Sequence, residues 1–273
     1  MALRRSSPLE PGGFAQDSAP RAGSWGSTAL TAAAPYRIDT RGPLARVVVP
    51  ALEAAGLFHG FGLRGGLRPE GWPTATGADS VRLATTTQIH SDRVVVVNGG
   101  SLEPADGLVT DQANCLVGVF TADCLPVLLA DLDGHVVAAV HAGWRGLTQR
   151  IVGKAVTMMA ARWSISAQEL VVALGPCIGR CCFEVGEQVL GPLRRQPGGG
   201  EGIVLPKPDG PDGKALVDLQ AWATRQLTES GVPAGQIHAV ELCTRCHPAL
   251  FSSFRRDGRR KQEMFNGILR PAR

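Results

Sequence analysis

Two apolar runs joined by a tight-turn signal constrain this chain more than any other stretch. Val127 to Ala130 and Val136 to Val140 flank Asp131-Leu132-Asp133-Gly134. Asp-Gly between two apolar runs is a strong hairpin signature. Folding about Asp133-Gly134 brings position 124 opposite the region of position 141, within a residue or two of register. Directly opposed side chains on neighbouring strands have Cβ atoms roughly 4.5–5.5 Å apart. The segments at the open end are Thr121-Ala122-Asp123-Cys124-Leu125-Pro126 and His141-Ala142-Gly143-Trp144-Arg145-Gly146. The Cys124 thiol and the His141 imidazole are therefore expected close together, able to share a metal ion or to act as nucleophile and base.

The chain has 273 residues and a formal net charge of +4. That excess is mild, and the absence of a dense basic stripe argues against a nucleic-acid partner. The one basic cluster, Arg255, Arg256, Arg259, Arg260 and Lys261, reads as a solvated surface or as an anion contact. Seven cysteines is an odd number, and no apolar segment resembles a signal peptide. Nor does any window approach the roughly 18 apolar residues of a membrane span. The expectation is a cytoplasmic protein with free thiols and no membrane partner. Residues 1–42, rich in Ala, Ser, Arg and Gly, read as a disordered extension, and 43–273 as the folded domain.

Short apolar runs predict strands over 46–50, 58–63, 94–97, 113–120 and 170–174 beside the hairpin, with 237–242 the last clear strand. A short helix is expected over 51–56, an amphipathic one over 147–163, and others near 185–194 and 218–229. Residues 64–80 and 196–213 read as Gly- and Pro-rich loops. Several strands follow one another without a crossover helix. The predicted class is α+β (α/β), a single-domain sandwich of mixed β-sheets flanked by helices.

Three ligands and one open position make a catalytic zinc centre. His90, in Thr87-Gln88-Ile89-His90-Ser91-Asp92, is the best third ligand beside Cys124 and His141. The alternative is a buried thiol among core histidines. Gly143 to Gly146 lead into a helix, so free backbone N–H groups and the Arg145 guanidinium could hold an anion beside the metal; the plainer reading is a glycine turn with Arg145 on the surface. Cys243-x-x-Cys246-His247 could join Cys177, Cys181 or Cys182 in a structural zinc site. His59, His135 and His238 read as structural. Six histidines without a His-x-His pair make a multinuclear copper centre hard to build. Zinc nucleobase deaminases carry His-x-Glu and Pro-Cys-x-x-Cys. This chain has His90-Ser91-Asp92, and Cys177 to Cys181 is one residue too wide.

Gln88-Ile89-His90, Ala105-Asp106-Gly107-Leu108-Val109-Thr110 and the segments 121–126 and 141–146 resemble the laccase-domain family. Its members were long labelled multicopper polyphenol oxidases and are now described as zinc-dependent purine nucleoside phosphorylases. Further matches are Phe61 to Gly66, Gly175 to Gly179 with Cys182 to Gly186, and Cys243-Thr244 through Phe254 to Gly258, so the likeness covers about residues 45–265. The resemblance implies an α/β sandwich with zinc, rather than Cu2+, held by His90, Cys124 and His141. It implies phosphorolysis of adenosine, inosine, guanosine and methylthioadenosine, with adenosine deamination besides. It puts substrate or phosphate contacts at Arg64 and Arg145, and Asp123 is a candidate proton carrier. The rival readings are a cysteine-type or peptidoglycan-editing hydrolase using Cys124 with His141, a copper polyphenol oxidase, and a non-catalytic partner protein. Residues 67–87 lack the family's Asn-Leu-Gly segment and 259–266 replace its usual ending, so the pocket is expected to differ there.

Overall fold

A computed structural model describes residues 35–40, 44–78, 80–206, 213–258 and 262–272. Most of the extension expected over 1–42 lies outside the described residues, as do Arg259, Arg260 and Lys261.

The hairpin forms where the turn signal puts it. Leu125–Asp131 runs antiparallel to Val137–Ala142, with Pro126 opposite His141 and Leu125 opposite Ala142. Gly134 takes φ +65, and its N–H closes the turn on the Asp131 carbonyl at 2.8 Å. The Asp131 carboxylate accepts the Val136 N–H at 2.6 Å.

Every residue of both hairpin strands is buried, because both faces are covered. Val127, Leu129, Ala138 and Val140 pack with Val152, Val156 and Met159 of the helix Ile151–Trp163 and with Trp222 of the helix Leu219–Glu229. Leu128, Ala130, Val137 and Ala139 pack instead with Phe61, Val117, Val119 and Ile268 of a second sheet. Burial on two sides explains why these runs are apolar throughout rather than alternating. At roughly 1.5–3 kcal/mol for each large aliphatic side chain removed from water, this layer dominates the core energetics.

The hairpin lies inside a six-stranded sheet ordered Ile237–Ala239, Leu170–Leu174, Leu125–Asp131, Val137–Ala142, Gly107–Thr110, Val94–Val96. The opposing six-stranded sheet is ordered Arg37–Asp39, Arg46–Val48, Phe58–Gly62, Met264–Arg270, Cys115–Thr121, Arg82–Ala84. Each mixes parallel with antiparallel pairing. The expected sandwich of mixed sheets flanked by helices is what the chain adopts. A small third sheet joins Glu184–Val185, Ala215–Val217 and Val204–Leu205.

Four local expectations need correction. Ile237–Ala239 is not the last strand: Met264–Arg270 pairs on both edges, with Phe58–Gly62 and with Cys115–Thr121. Its Asn266-Gly267 pair looks like a turn, but the Asn266 amide donates to Thr121 Oγ1 at 3.0 Å and is fully committed inside the sheet. Arg37–Asp39 is a strand paired with Arg46–Val48, so ordered chain begins within the region assigned to the extension. The helix expected over 147–163 is two, Trp144–Thr148 and Ile151–Trp163, separated at Arg150 with φ +62. The break is stabilised from outside, because Gln226 and Gln196 donate to the Leu147 carbonyl at 2.6 and 3.2 Å and satisfy a helix-end acceptor. Finally, the loops at 64–80 and 196–213 carry a helix at Trp72–Ala75, with Trp72 buried, and a strand at Val204–Leu205, while 207–212 lie outside the described residues.

Candidate metal centre and its cavity

The open end of the hairpin presents Cys124 and His141, and the turn before Val94–Val96 brings His90 to meet them. One ligand atom from each of the three lies within 4.8 Å of the others. The two imidazoles meet edge to face, with centroids 4.7 Å apart. His90 sits at φ +57, an uncommon conformation for a residue with a side chain. The cause is the Asp106 carboxylate, which gathers the whole turn. It accepts from the backbone N–H of Ile89 (3.3 Å), His90 (2.9 Å) and Ser91 (2.6 Å), from the Ser91 hydroxyl (2.7 Å) and from His141 Nδ1 (2.8 Å). With Nδ1 committed as donor, His141 has Nε2 free as a ligand.

The electrostatics follow from this packing. Burial works to raise the Asp106 carboxyl, but the hydrogen bonds from His141 and Ser91 outweigh it and hold the group at about 2. Burial likewise pushes the Cys124 thiol up, and the His141 and His90 imidazoles bring it down to about 6. Burial disfavours protonated His141, yet the Cys124 sulfur and Asp106 raise it to about 9. Each partner thus favours the charged form of the other. Gly143 closes the site from above. A Cβ there would sit 3.0 Å from Cys124 Sγ, so any side chain would press the sulfur to give by a few tenths of an ångström.

The trio opens onto a cavity of about 640 Å³. Ile178, Phe183, Leu219 and Phe254 give it apolar lining, and Arg145 and Arg255 supply positive charge. Arg145 rests over the Trp144 ring at 4.3 Å. Arg255 lies 5.7 Å from the Phe183 ring and donates to the Glu184 carbonyl at 3.2 Å.

A family model described as multi-copper polyphenol oxidoreductase laccase matches residues 72–270. The chain belongs to this laccase family. An adenosine deaminase, RL5, from an unknown prokaryotic organism is 37% identical over 205 residues, covering 71% of this chain and 77% of that protein. A purine nucleoside phosphorylase of Clostridium acetobutylicum is 37% identical over 187 residues, or 67% of this chain and 75% of its own length. Among solved structures, YlmD from Geobacillus stearothermophilus superposes with a TM-score of 0.75 at 27% identity, covering 88% of this chain and all (100%) of that one.

Of the site residues read from this laccase-family sequence, His90, Cys124 and His141 come together, and Arg145 reaches the same cavity. Arg64 does not line it; its guanidinium pairs with Asp257 at 3.7 Å and donates to the Pro248 carbonyl at 3.3 Å. Asp123 borders the cavity, but its carboxylate is occupied. Thr244 Oγ1 (2.6 Å), Ser253 Oγ (3.1 Å) and the Arg255 N–H (2.7 Å) all donate to it. Together with φ +95, those bonds make Asp123 a strap holding the 244–256 segment in place. Arg256, grouped by sequence with a solvated surface, is also a strap, donating to the carbonyls of Thr244, Arg245 and Phe251.

The reading by sequence gave no role to Asp106, Phe183 or Phe254. For Asp106 a signal existed: an acid inside the buried run Ala105 to Thr110 must have partners. Phe183 and Phe254 lay in family-like segments, but a loop position and the start of a four-residue helix have no periodicity to show that they face a cavity.

Proposed function

We propose that this chain is a zinc-dependent purine nucleoside phosphorylase acting on adenosine, inosine, guanosine and methylthioadenosine, and that it also deaminates adenosine. One observation carries the reading: a cysteine sulfur and two imidazoles face a cavity of about 640 Å³ that also presents two guanidinium groups. Two nitrogens and one sulfur form a donor set suited to zinc, and three protein ligands are the number found in catalytic sites. When bound, such an ion supplies Lewis-acid polarisation to the substrate. The cavity volume lies in the range of small-molecule sites. The relatives named as a phosphorylase and as a deaminase support the same chemistry.

The chain's own residues divide the work. Arg145 and Arg255 offer planar cationic forks to phosphate, which must approach the ribose anomeric carbon. Phe183, Phe254 and Ile178 give a purine an apolar surface to stack against. Asp106 holds the His141 tautomer, and Asp123 fixes the backbone that carries Arg255. The free thiols among the described residues agree with a reducing cytoplasmic setting, and no helix there is long and apolar enough to cross a membrane.

The test is incubation of each nucleoside with and without phosphate, monitoring free base, ribose 1-phosphate and ammonia. The wild-type protein should release base only with phosphate, and Cys124→Ala should lose both activities together with the ion held by the trio. Metal-loaded protein inert toward every nucleoside would end the proposal.

A second reading has its own observation. Cys124, His141 and Asp106 are also arranged as nucleophile, base and orienting acid. Turnover that survives chelation but not thiol alkylation would favour that hydrolase. Two imidazoles and one cysteine sulfur are also the trigonal donor set of copper electron-transfer sites, so elemental analysis of protein purified without added metal separates zinc from copper.

A further inference from the structure

Two loops that wall the cavity carry four cysteines to one point. Cys181 and Cys182 lie in the loop after Leu170–Leu174, and Cys243 and Cys246 in the loop after Ile237–Ala239. All four sulfur atoms lie within 4.8 Å of one another. Cys246 Sγ is 3.7 Å from Cys181 Sγ and 3.4 Å from Cys182 Sγ. A tetrahedral zinc tetrathiolate with Zn–S of about 2.3 Å has sulfur–sulfur edges of about 3.8 Å. A disulfide needs about 2.05 Å and joins only two sulfurs, whereas Cys246 stands between two partners.

The surroundings match a dianionic thiolate group. The Gly179 N–H donates to Cys243 Sγ at 3.2 Å, and Arg245 donates to Cys182 Sγ at 3.5 Å. Donors of this kind offset charge on coordinated sulfur. The backbone is already joined here, because Cys177 and Cys243 form an isolated bridge and the Thr244 N–H bonds the Cys177 carbonyl at 2.9 Å. Cys177 turns its thiol to the Ile178 carbonyl, and His247 is not among the residues whose ligand atoms lie within 4.8 Å of one another here.

We propose that Cys181, Cys182, Cys243 and Cys246 bind a zinc ion, separate from the His90 trio, that clips the two cavity-wall loops together. One loop carries Ile178 and Phe183, and the other runs through Thr244 to Phe254 and Arg255. Thr244 follows Cys243 directly and bonds Asp123, the neighbour of Cys124. The clip thereby positions part of the cavity wall without touching reactant. Cys181 and Cys246 are exposed, so the ion can enter without opening the core.

The experiment compares full-length wild type, Cys246→Ser, Cys181→Ser and Cys124→Ala, purified anaerobically and loaded with zinc or cobalt. Wild type should hold one zinc more than Cys246→Ser, and its cobalt form should show the intense sulfur-to-metal charge-transfer bands of a tetrathiolate. Cys246→Ser and Cys181→Ser should lose those bands, and Cys124→Ala should keep them. Should the serine variants misfold, stepwise titration of wild-type thiols with a mercurial should release zinc along with the exposed cysteines. Equal metal content and equal spectra in wild type and Cys246→Ser would overturn the proposal. So would a 246–181 or 246–182 disulfide in the anaerobic protein, or iron in place of zinc.

Discussion

Asp106→Asn removes one negative charge without changing shape, and the five donors around the carboxylate make the outcome calculable. The amide puts NH2 where one oxygen was. In the Oδ2 place it meets two fixed donors, Ser91 N–H at 2.6 Å and Ile89 N–H at 3.3 Å, and only the Ser91 hydroxyl can rotate to accept. In the Oδ1 place it meets one fixed donor, His90 N–H at 2.9 Å, and His141 Nδ1, which can become an acceptor by changing tautomer. An orphaned buried donor costs about 1–3 kcal/mol, so the second orientation prevails. It moves the His141 proton to Nε2 and withdraws that atom as a ligand. With a loss of roughly 2–3 kcal/mol, the metal-free protein should melt about 4–12 °C lower. Metal affinity should fall beyond the roughly 10- to 100-fold usual for loss of an orienting partner. Thermal unfolding of metal-free protein and competition with a chelator measure the two effects. An Asp106→Asn protein that held metal as tightly as wild type would refute the view that this carboxylate sets the His141 tautomer.

Other perturbations separate the site from the scaffold. Gly143→Ala keeps an allowed backbone (φ −70) but presses Cys124 Sγ to give by a few tenths of an ångström, so turnover should fall by about 3- to 10-fold; unchanged turnover would show that the trio has slack. Burial pushes the His59 imidazole down to about 4, and its Nε2 accepts the Val49 N–H at 2.9 Å. The unfolded chain takes up that proton near pH 6.5, so this stability is complete above about 6.5 and is lost as pH falls toward 4. Urea unfolding should therefore show about 2–3 kcal/mol less stability at pH 4.5 than at 7.5 from this group alone, with a flatter acid limb in His59→Gln; parallel limbs in the two proteins would contradict it. Leu128→Ala, fully buried between the sheets, should cost about 2–5 kcal/mol by denaturant titration, against less than about 0.5 for Leu132→Ala at the exposed turn.

The site was more legible in the sequence than the sheets around it. Asp133-Gly134 sets a hairpin by local backbone preference, and that register alone carries Cys124 to His141. Long apolar runs such as Leu125–Asp131 report burial on both faces wherever they fall in the fold. Met264–Arg270 was hidden for the opposite reason. Its Asn266-Gly267 pair looks like a turn, and only two partner strands distant in sequence make it the centre of a sheet. The helix break at Arg150 was hidden likewise, since the side chains that satisfy its end come from Gln196 and Gln226.

By itself, then, the sequence determined what short-range forces decide: the hairpin, the amphipathic helices, the apolar layers and the thiol–imidazole pair. Tertiary structure alone decided which side chains enter the cavity. Arg64 goes to Asp257 and Arg255 goes to Phe183, although both are arginines in family-like motifs. It likewise decided that Asp106 commands the His90 turn and that four cysteines from two loops meet. These are contacts between residues far apart in the chain, made by loops with no periodicity of their own. Their positions follow only once the sheets have packed and closed the distances between them.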